Sequence, residues 1–201
     1  MKLLLSVVGI AAIITAITLL TIAPTLPPVK PIELPPLITQ LVEPKEVPLN
    51  GSCLFWNGGL LVRPISKATG STVTHATIIL YEDGKPYVYE AVPPVVHRVP
   101  YAEYLKLMTT HKRKDFSYFL MEPKQRYTQD SLTKMKAYAD SQLGRRYEMR
   151  GYWKGHEVRG IMCSQFAGNT IEKSGLIKSN NFKESPGSLY RKILPYYKEV
   201  K

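Results

Sequence analysis

The sequence predicts an α+β domain that follows an apolar amino-terminal segment and a proline-rich linker. Three observations carry this prediction. Residues 3–23 form an uncharged apolar run, and residues 24–48 hold eight of the 16 prolines of the 201-residue chain. From residue 49 onward, short strand-type segments alternate with amphipathic helical ones. We therefore expect a small antiparallel sheet packed against helices.

The apolar run, "LLLSVVGIAAIITAITLLTIA", predicts a transmembrane anchor. At about 1.5 Å per residue, a helix of this length spans a hydrocarbon core of roughly 30 Å. The alternative is a signal peptide, but a cleaved one has a shorter apolar region, and a site at Ala23 would be followed by Pro24. Lys2 and the amino terminus flank one side of the run and Lys30 is the first base on the other side, which favours an amino terminus inside. We expect a single-pass membrane protein whose domain lies outside the cytoplasm.

The linker and the charge distribution suggest a stalked domain with a basic surface. Proline removes backbone donors and favours extended polyproline II geometry. The net charge of +11 lies in the domain, since acids and bases balance over the first 48 residues. The basic stretches "HKRK" (111–114) and "GRR" (144–146) suit an anionic envelope or lipid surface, or simply a solvated face. No nucleic-acid-binding motif accompanies them, so we expect no nucleic acid partner.

The elements of the domain follow from local patterns. "SCLFW" (52–56) predicts a strand, and "HATIILY" followed by "YEDG" and "KPYVYEAV" predicts a β-hairpin. The remaining predictions are a helix over 99–109, a strand over 116–121, a helix over 128–143 that stops at Gly144, and a helix that begins near Ser164 and stops at Gly175.

Cys163 lies at the amino end of the last predicted helix, in "GIMCSQFAGN". Unpaired backbone N–H groups and the helix dipole at such a position stabilise a thiolate. The same groups can hold the oxyanion of a tetrahedral intermediate. A buried core cysteine is the alternative interpretation. Neither Cys163 nor Cys53 lies in a metal-ligand pattern, so we expect no metal. We expect both thiols to be reduced, because the alternative, a Cys53–Cys163 disulfide on the oxidising side of the membrane, would consume the nucleophile.

His75 and Glu90 are the predicted partners of this thiol. His75 opens an apolar strand, and Glu90 lies in the returning arm, where an unpaired carboxylate would be costly. A four-residue turn places His75 opposite Glu90, whereas a two-residue turn at Asp83-Gly84 leaves Glu90 a diagonal neighbour on the same face. In either register a carboxylate can orient the imidazole that activates a thiol.

His97 is the rival for the role of Glu90. Its odd number places it on the opposite face of a strand that continues regularly, and Pro93-Pro94 interrupt that strand before it. We therefore expect His97 to lie on a loop and Glu90 to be the orienting residue.

The series "NGSCLFW", "THATIIL", "YVYEA", "LGRRY" and "MCSQF" resembles the circularly permuted branch of the NlpC-type, papain-like cysteine peptidases and amidases. This branch includes YiiX-like and lecithin:retinol-acyltransferase-like proteins, and the likeness spans residues 49–195. One departure is Gly51-Ser52-Cys53, where the family usually begins its first strand with Gly-Asp.

The resemblance implies a permuted papain-like fold with Cys163 as nucleophile, His75 as base and Glu90 as orienting group. It also implies that Tyr147 borders the substrate and that Ser164 flanks the oxyanion site. The predicted organisation is an anchor or uncleaved signal at 1–23, a linker at 24–48 and a catalytic domain at 49–201.

The function that we expect is a membrane-tethered thiol hydrolase without a cofactor, which cleaves an amide bond in a cell-wall peptide through a thioester acyl-enzyme. Two alternatives stay open. One is a lipid-directed acyl hydrolase or acyltransferase with the same residues, and the other is a non-catalytic module that binds envelope polymers.

Overall fold

The part of the chain that the structure, a computed structural model, describes comprises residues 47–58, 70–110, 117–156 and 158–200. The predicted anchor, almost all of the linker and the basic stretch at 111–114 lie outside these ranges. No helix within the ranges is long and apolar enough to cross a membrane.

Seven strands and five α-helices make up the described fold. The strands are β1 (Cys53–Asn57), β2 (Val73–Ala76), β3 (Ile78–Glu82), β4 (Lys85–Ala91), β5 (Val96–Pro100), β6 (Ser117–Pro123) and β7 (Tyr197–Val200). The helices are α1 (Tyr101–Thr110), α2 (Gln129–Ser141), α3 (Arg150–Lys154), α4 (Cys163–Glu172) and α5 (Pro186–Ile193), with a 3-10 turn at Asn181–Lys183.

The strands form two antiparallel sheets within the described residues. One has four strands in the order β2-β1-β6-β7, and the other has three in the order β3-β4-β5. The sheets meet where the chain passes from β2 to β3, because the amide of Thr77 donates to the carbonyl of Leu54 (2.9 Å) and that of Ile79 to the carbonyl of Ser52 (2.7 Å). The fold is therefore α+β, as predicted, but it contains two small sheets.

The predicted hairpin exists in its shorter form. Ile78 pairs with Tyr89 and Glu82 pairs with Lys85, so the connection is the two-residue turn. Asp83 and Gly84 both have positive φ, 49° and 74°, as tight hairpin turns require.

The first arm of this hairpin is shorter than the sequence predicted, and this corrects the placement of His75. The arm begins at Ile78, whereas His75 belongs to β2 and pairs with Trp56 of the other sheet. His75 and Glu90 therefore lie on two different sheets, and the predicted cross-strand relation between them was wrong.

The core lies on both faces of β1, which explains why "CLFW" (53–56) is apolar throughout. Cys53 and Phe55 pack into a cluster that includes Phe166 of α4 and Leu189 of α5. Leu54 points the other way, into a smaller cluster under α1. Because both faces are covered, the strand lacks the alternation of a half-exposed one.

Side-chain caps fix the ends of two helices. The Thr128 side chain accepts from the amide of Ser131 (3.2 Å) at the start of α2. The Ser185 side chain accepts from the amide of Ser188 (3.1 Å) at the start of α5. Each bond satisfies one of the amides that a helix leaves unpaired in its first turn.

Candidate active site

Cys163 is the first residue of α4, within one residue of the predicted start. The residue is only 1% exposed. The backbone N–H groups of Ala76 and Ser164 hydrogen-bond to its sulfur. The preceding amide, that of Met162, donates to Oε1 of Gln165 (3.2 Å), which fixes the start of the helix. The sulfur thus lies among backbone donors, as expected for a helix amino terminus.

His75 joins the Cys163 thiol to a carboxylate. Its Nε2 lies 2.8 Å from Oε2 of Glu90. The ring also hydrogen-bonds to Cys163, and Nδ1 is the ring nitrogen that remains for this contact. The Trp56 ring lies against the imidazole, with 4.8 Å between ring centroids. Strand β2 and its neighbour β1 therefore hold the imidazole between sulfur and carboxylate.

Glu90 accepts hydrogen bonds from three side chains on three different elements. His75 and the Tyr104 hydroxyl (2.9 Å) both reach Oε2, and Nε2 of His97 lies 3.0 Å from Oε1. Burial alone would raise the pKa of Glu90, but the bonds from His75 and His97, the positive charge of His75 and the Tyr104 hydroxyl together lower it to about 2. The buried carboxylate is therefore ionised and fully hydrogen-bonded.

The pKa values of His75 and Cys163 shift in opposite directions. Burial alone would lower the pKa of His75, but the negative charge and hydrogen bond of Cys163, together with Glu90, raise it. Burial alone would raise the pKa of Cys163, but the charge and hydrogen bond of His75 and the two backbone amides lower it. Both shifts favour a thiolate–imidazolium pair, the reactive form of a cysteine nucleophile.

Tyr147 and Ser164, the two predicted flanking residues, differ in what they contribute. Tyr147 is close enough to Cys163 for the sulfur's charge to add to burial in raising the pKa of its hydroxyl. The Ser164 side chain faces away, because its Oγ donates to the carbonyl of Glu184 (2.7 Å). Ser164 therefore contributes to the sulfur's surroundings through its backbone amide.

His97 lies in a strand, and the prediction of a loop was wrong. After the reversal at Pro93-Pro94, β5 runs back along β4, and His97 pairs directly with Glu90. Direct partners in an antiparallel pair have their side chains on the same face, so the parity argument does not apply across the reversal. His97 does not replace Glu90, however, since the residue that contacts His75 is Glu90.

Sequence reasoning also missed Tyr104 and the amide of Ala76. Tyr104 lies in the predicted helix 99–109, but nothing in the helical pattern indicates which tyrosine reaches a carboxylate. Burial and the neighbouring Glu90 raise the pKa of Tyr104 well above its usual value, so its hydroxyl is a neutral donor. The amide of Ala76 carries no sequence signal at all.

Comparison with known proteins supports the fold. No family model and no curated protein matches this chain. Among solved structures, it is similar to the metalloprotein YiiX from Escherichia coli O157:H7 (DUF1105), with a TM-score of 0.59 and 20% identity over 77% of this chain and 97% of that one. The chain has a YiiX-like fold. At this level of identity, the similarity concerns the fold alone.

The residues of the site do not fit a metal ion, although YiiX is described as a metalloprotein. Within the described ranges, no group of three or more histidine, cysteine, aspartate or glutamate residues is arranged to hold one. Nε2 of His75 and Nε2 of His97 both point at the Glu90 carboxylate, so these potential ligands are hydrogen-bonded to one another.

Proposed function

We propose that this chain is a thiol hydrolase in which Cys163 attacks an acyl carbon, His75 transfers the proton and Glu90 orients His75. One observation carries the proposal. The buried chain of contacts from Cys163 through His75 to Glu90 links three residues on α4, β2 and β4. A core cysteine with only a packing role needs neither an imidazole nor an ionised carboxylate beside it.

The first half of the reaction forms a thioester. The Cys163 thiolate attacks the carbonyl carbon of an amide, and the electron pair of the carbonyl bond moves to oxygen. In the proposed reaction, the backbone N–H groups of Ser164 and Ala76, which hydrogen-bond to the sulfur, stabilise that oxyanion. The C–N bond then breaks, and the His75 imidazolium gives its proton to the departing amine.

The second half of the reaction releases the acid. Neutral His75 takes a proton from water, whose oxygen attacks the thioester carbonyl carbon. The C–S bond breaks, and the carboxylic acid leaves with Cys163 again a thiolate beside the His75 imidazolium. Throughout the cycle Glu90 keeps the tautomer and the orientation of the ring, because its Oε2 is bonded to Nε2.

We further propose a cell-wall peptide as the substrate and residues 3–23 as a membrane tether. The motifs of the chain resemble NlpC-type peptidases and amidases, and the basic charge of +11 suits an anionic envelope. The YiiX-like fold is compatible with this assignment to the permuted NlpC-type branch.

The substrate proposal is tested by offering two acyl donors to the purified full chain. Purified peptidoglycan and vesicles of phosphatidylethanolamine and phosphatidylglycerol are incubated separately, and the products are identified by mass spectrometry. We expect new amine and carboxyl ends in the peptidoglycan, and none with a Cys163→Ala variant. If fatty acid is released from the vesicles and the peptidoglycan is left intact, the substrate is a lipid ester and the cell-wall peptide is excluded. No product from either donor, with Cys163 reduced, would favour a binding module.

A further inference from the structure

Glu90 has two imidazole partners but only one negative charge. His75 is bonded to Oε2 and His97 to Oε1, at 2.8 and 3.0 Å. The two rings differ in exposure, since the side chain of His75 is 11% exposed and that of His97 is 39% exposed. His97 therefore exchanges protons with solvent more readily than the buried members of the site.

We propose that His97 is a positioning residue of this site, which shares the Glu90 carboxylate with His75 and thereby sets the lowest pH at which Cys163 is a reactive thiolate. This inference rests on the proposed function, because it concerns the same thiol.

The sign of the effect follows from the shared charge. While His97 is neutral, its N–H holds Oε1 and the full charge of Glu90 stabilises the His75 imidazolium. Once His97 takes up a proton, the carboxylate lies between two cations, and the second positive charge on His75 is disfavoured. The Cys163 thiolate then loses its partner and returns to the thiol form. The coupling is reciprocal, since the charge of His75 also disfavours a proton on His97.

The groups that act on His97 come from the elements packed around β5. Glu90 faces it from β4 and raises its pKa, chiefly through their hydrogen bond. His75 of β2 lies beyond the carboxylate, and the neutral hydroxyl of Tyr104 enters from α1. Cys163 of α4 acts through His75. On α1, Glu103 and Lys106 are exposed on the outer side.

The segment along the outer edge of β5 carries further charges. The amide of Val96 donates to the carbonyl of Arg145 (2.8 Å). The Arg145 guanidinium donates to Gln142 and to the backbone carbonyls of residues 158–160. Arg146 is exposed. Next to His97 in the strand, Arg98 pairs with Glu82. Glu90 is therefore the anion whose charge His97 and His75 share.

The test is the pH dependence of Cys163 alkylation by iodoacetamide in the full chain. His97→Gln keeps an N–H donor for Oε1 but cannot take up a proton in this range. We define the acid limit as the pH below which Cys163 is no longer alkylated. We expect this limit to lie about one pH unit lower in the variant than in the wild type. His97→Ala also loses the donor, so it should react several-fold more slowly than His97→Gln at pH 8. His156→Gln, at an exposed histidine, is the matched control and should leave the profile in place.

A second measurement reads the proton on His97 directly. An NMR titration of the imidazole resonances in the wild-type chain should give a His97 midpoint that coincides with the acid limit. If the acid limit of His97→Gln equals that of the wild type or lies at higher pH, the proposed role of His97 is overturned. That outcome leaves the proposed function of Cys163 in place. A wild-type Cys163 that reacts no faster than an ordinary thiol would overturn the proposed function and this inference with it.

Discussion

Glu90 is a buried charge whose three donors come from three separate elements. Its side chain is 7% exposed, so water contributes little to its solvation. An ionised carboxylate in such a position is tolerated only when it is paired and hydrogen-bonded, and here both conditions hold. The arrangement fixes the position of both carboxylate oxygens and, through Oε2, that of the His75 ring.

Replacing Glu90 by Gln tests the orienting role. The substitution keeps the shape but removes the charge that stabilises the His75 imidazolium, so turnover should fall by one or more orders of magnitude. Glu103→Gln, at an exposed position of α1, is the matched control and should leave turnover unchanged. Steady-state kinetics and circular dichroism spectra check both variants. A folded Glu90→Gln variant with full turnover would exclude Glu90 from the proposed mechanism.

At the scale of elements, the sequence predicted best those that carry their own end signals. Helix α2 begins at Gln129, one residue after its predicted start, and α4 begins at Cys163, one residue before its predicted start. The break between β2 and β3 was missed because "HATIILY" is an uninterrupted run of residues that suit a strand, and a strand that changes sheets leaves no local signal. His97 was predicted on a loop because a proline pair can end a strand, but here Pro93-Pro94 reverse the chain and a new strand follows. Glu90 was predicted as the partner of His75 because a buried carboxylate needs a hydrogen-bond partner in any arrangement of the strands.

The segment before α4 depends on close packing at Gly160. A Cβ atom there would lie 2.2 Å from Cβ of Glu148 and 2.8 Å from the carbonyl oxygen of Arg146. The same Arg146 oxygen accepts from the amide of Ile161 (2.9 Å), which holds the approach to Cys163 against the segment that carries Tyr147. A side chain at Gly160 would separate these two stretches.

Gly160→Ala should therefore lower the free energy of unfolding by about 1–3 kcal/mol, as overpacking typically does. Gly168→Ala, within α4, is the comparison. Its Cβ would meet its nearest atoms, which belong to side chains, at 3.3 Å, and alanine favours a helix over glycine by up to about 1 kcal/mol. Urea unfolding curves check both variants. Equal midpoints for Gly160→Ala and wild type would contradict the close packing.

At the scale of the whole molecule, the described fold makes its first contacts near the predicted end of the linker. The carbonyl of Pro48 accepts from the Tyr81 hydroxyl (2.6 Å), and the amide of Leu49 donates to Oε1 of Glu122 (2.9 Å). Pro48 is buried, although the predicted domain begins one residue later. The described fold therefore includes Pro48, the last residue that the sequence assigned to the linker.

Deleting residues 1–24 should release a soluble protein that unfolds cooperatively, because the described elements that build the core all follow residue 46. Thermal unfolding followed by circular dichroism checks cooperativity, and centrifugation after lysis without detergent checks solubility. An insoluble product, or one that unfolds without a transition, would contradict the boundary.

The reactivity of Cys163 relative to Cys53 tests the central claim most directly. Both thiols are free and buried, but burial raises the pKa of Cys53 far above the usual range, whereas His75 lowers that of Cys163. The native full chain is alkylated with iodoacetamide between pH 5 and 10, and each cysteine is quantified by peptide mass spectrometry. We predict that Cys163 reacts well below pH 8.5, the pKa of an ordinary thiol, that His75→Ala abolishes this, and that Cys53 stays unlabelled. A Cys163 that is labelled only after unfolding, like Cys53, would contradict the account.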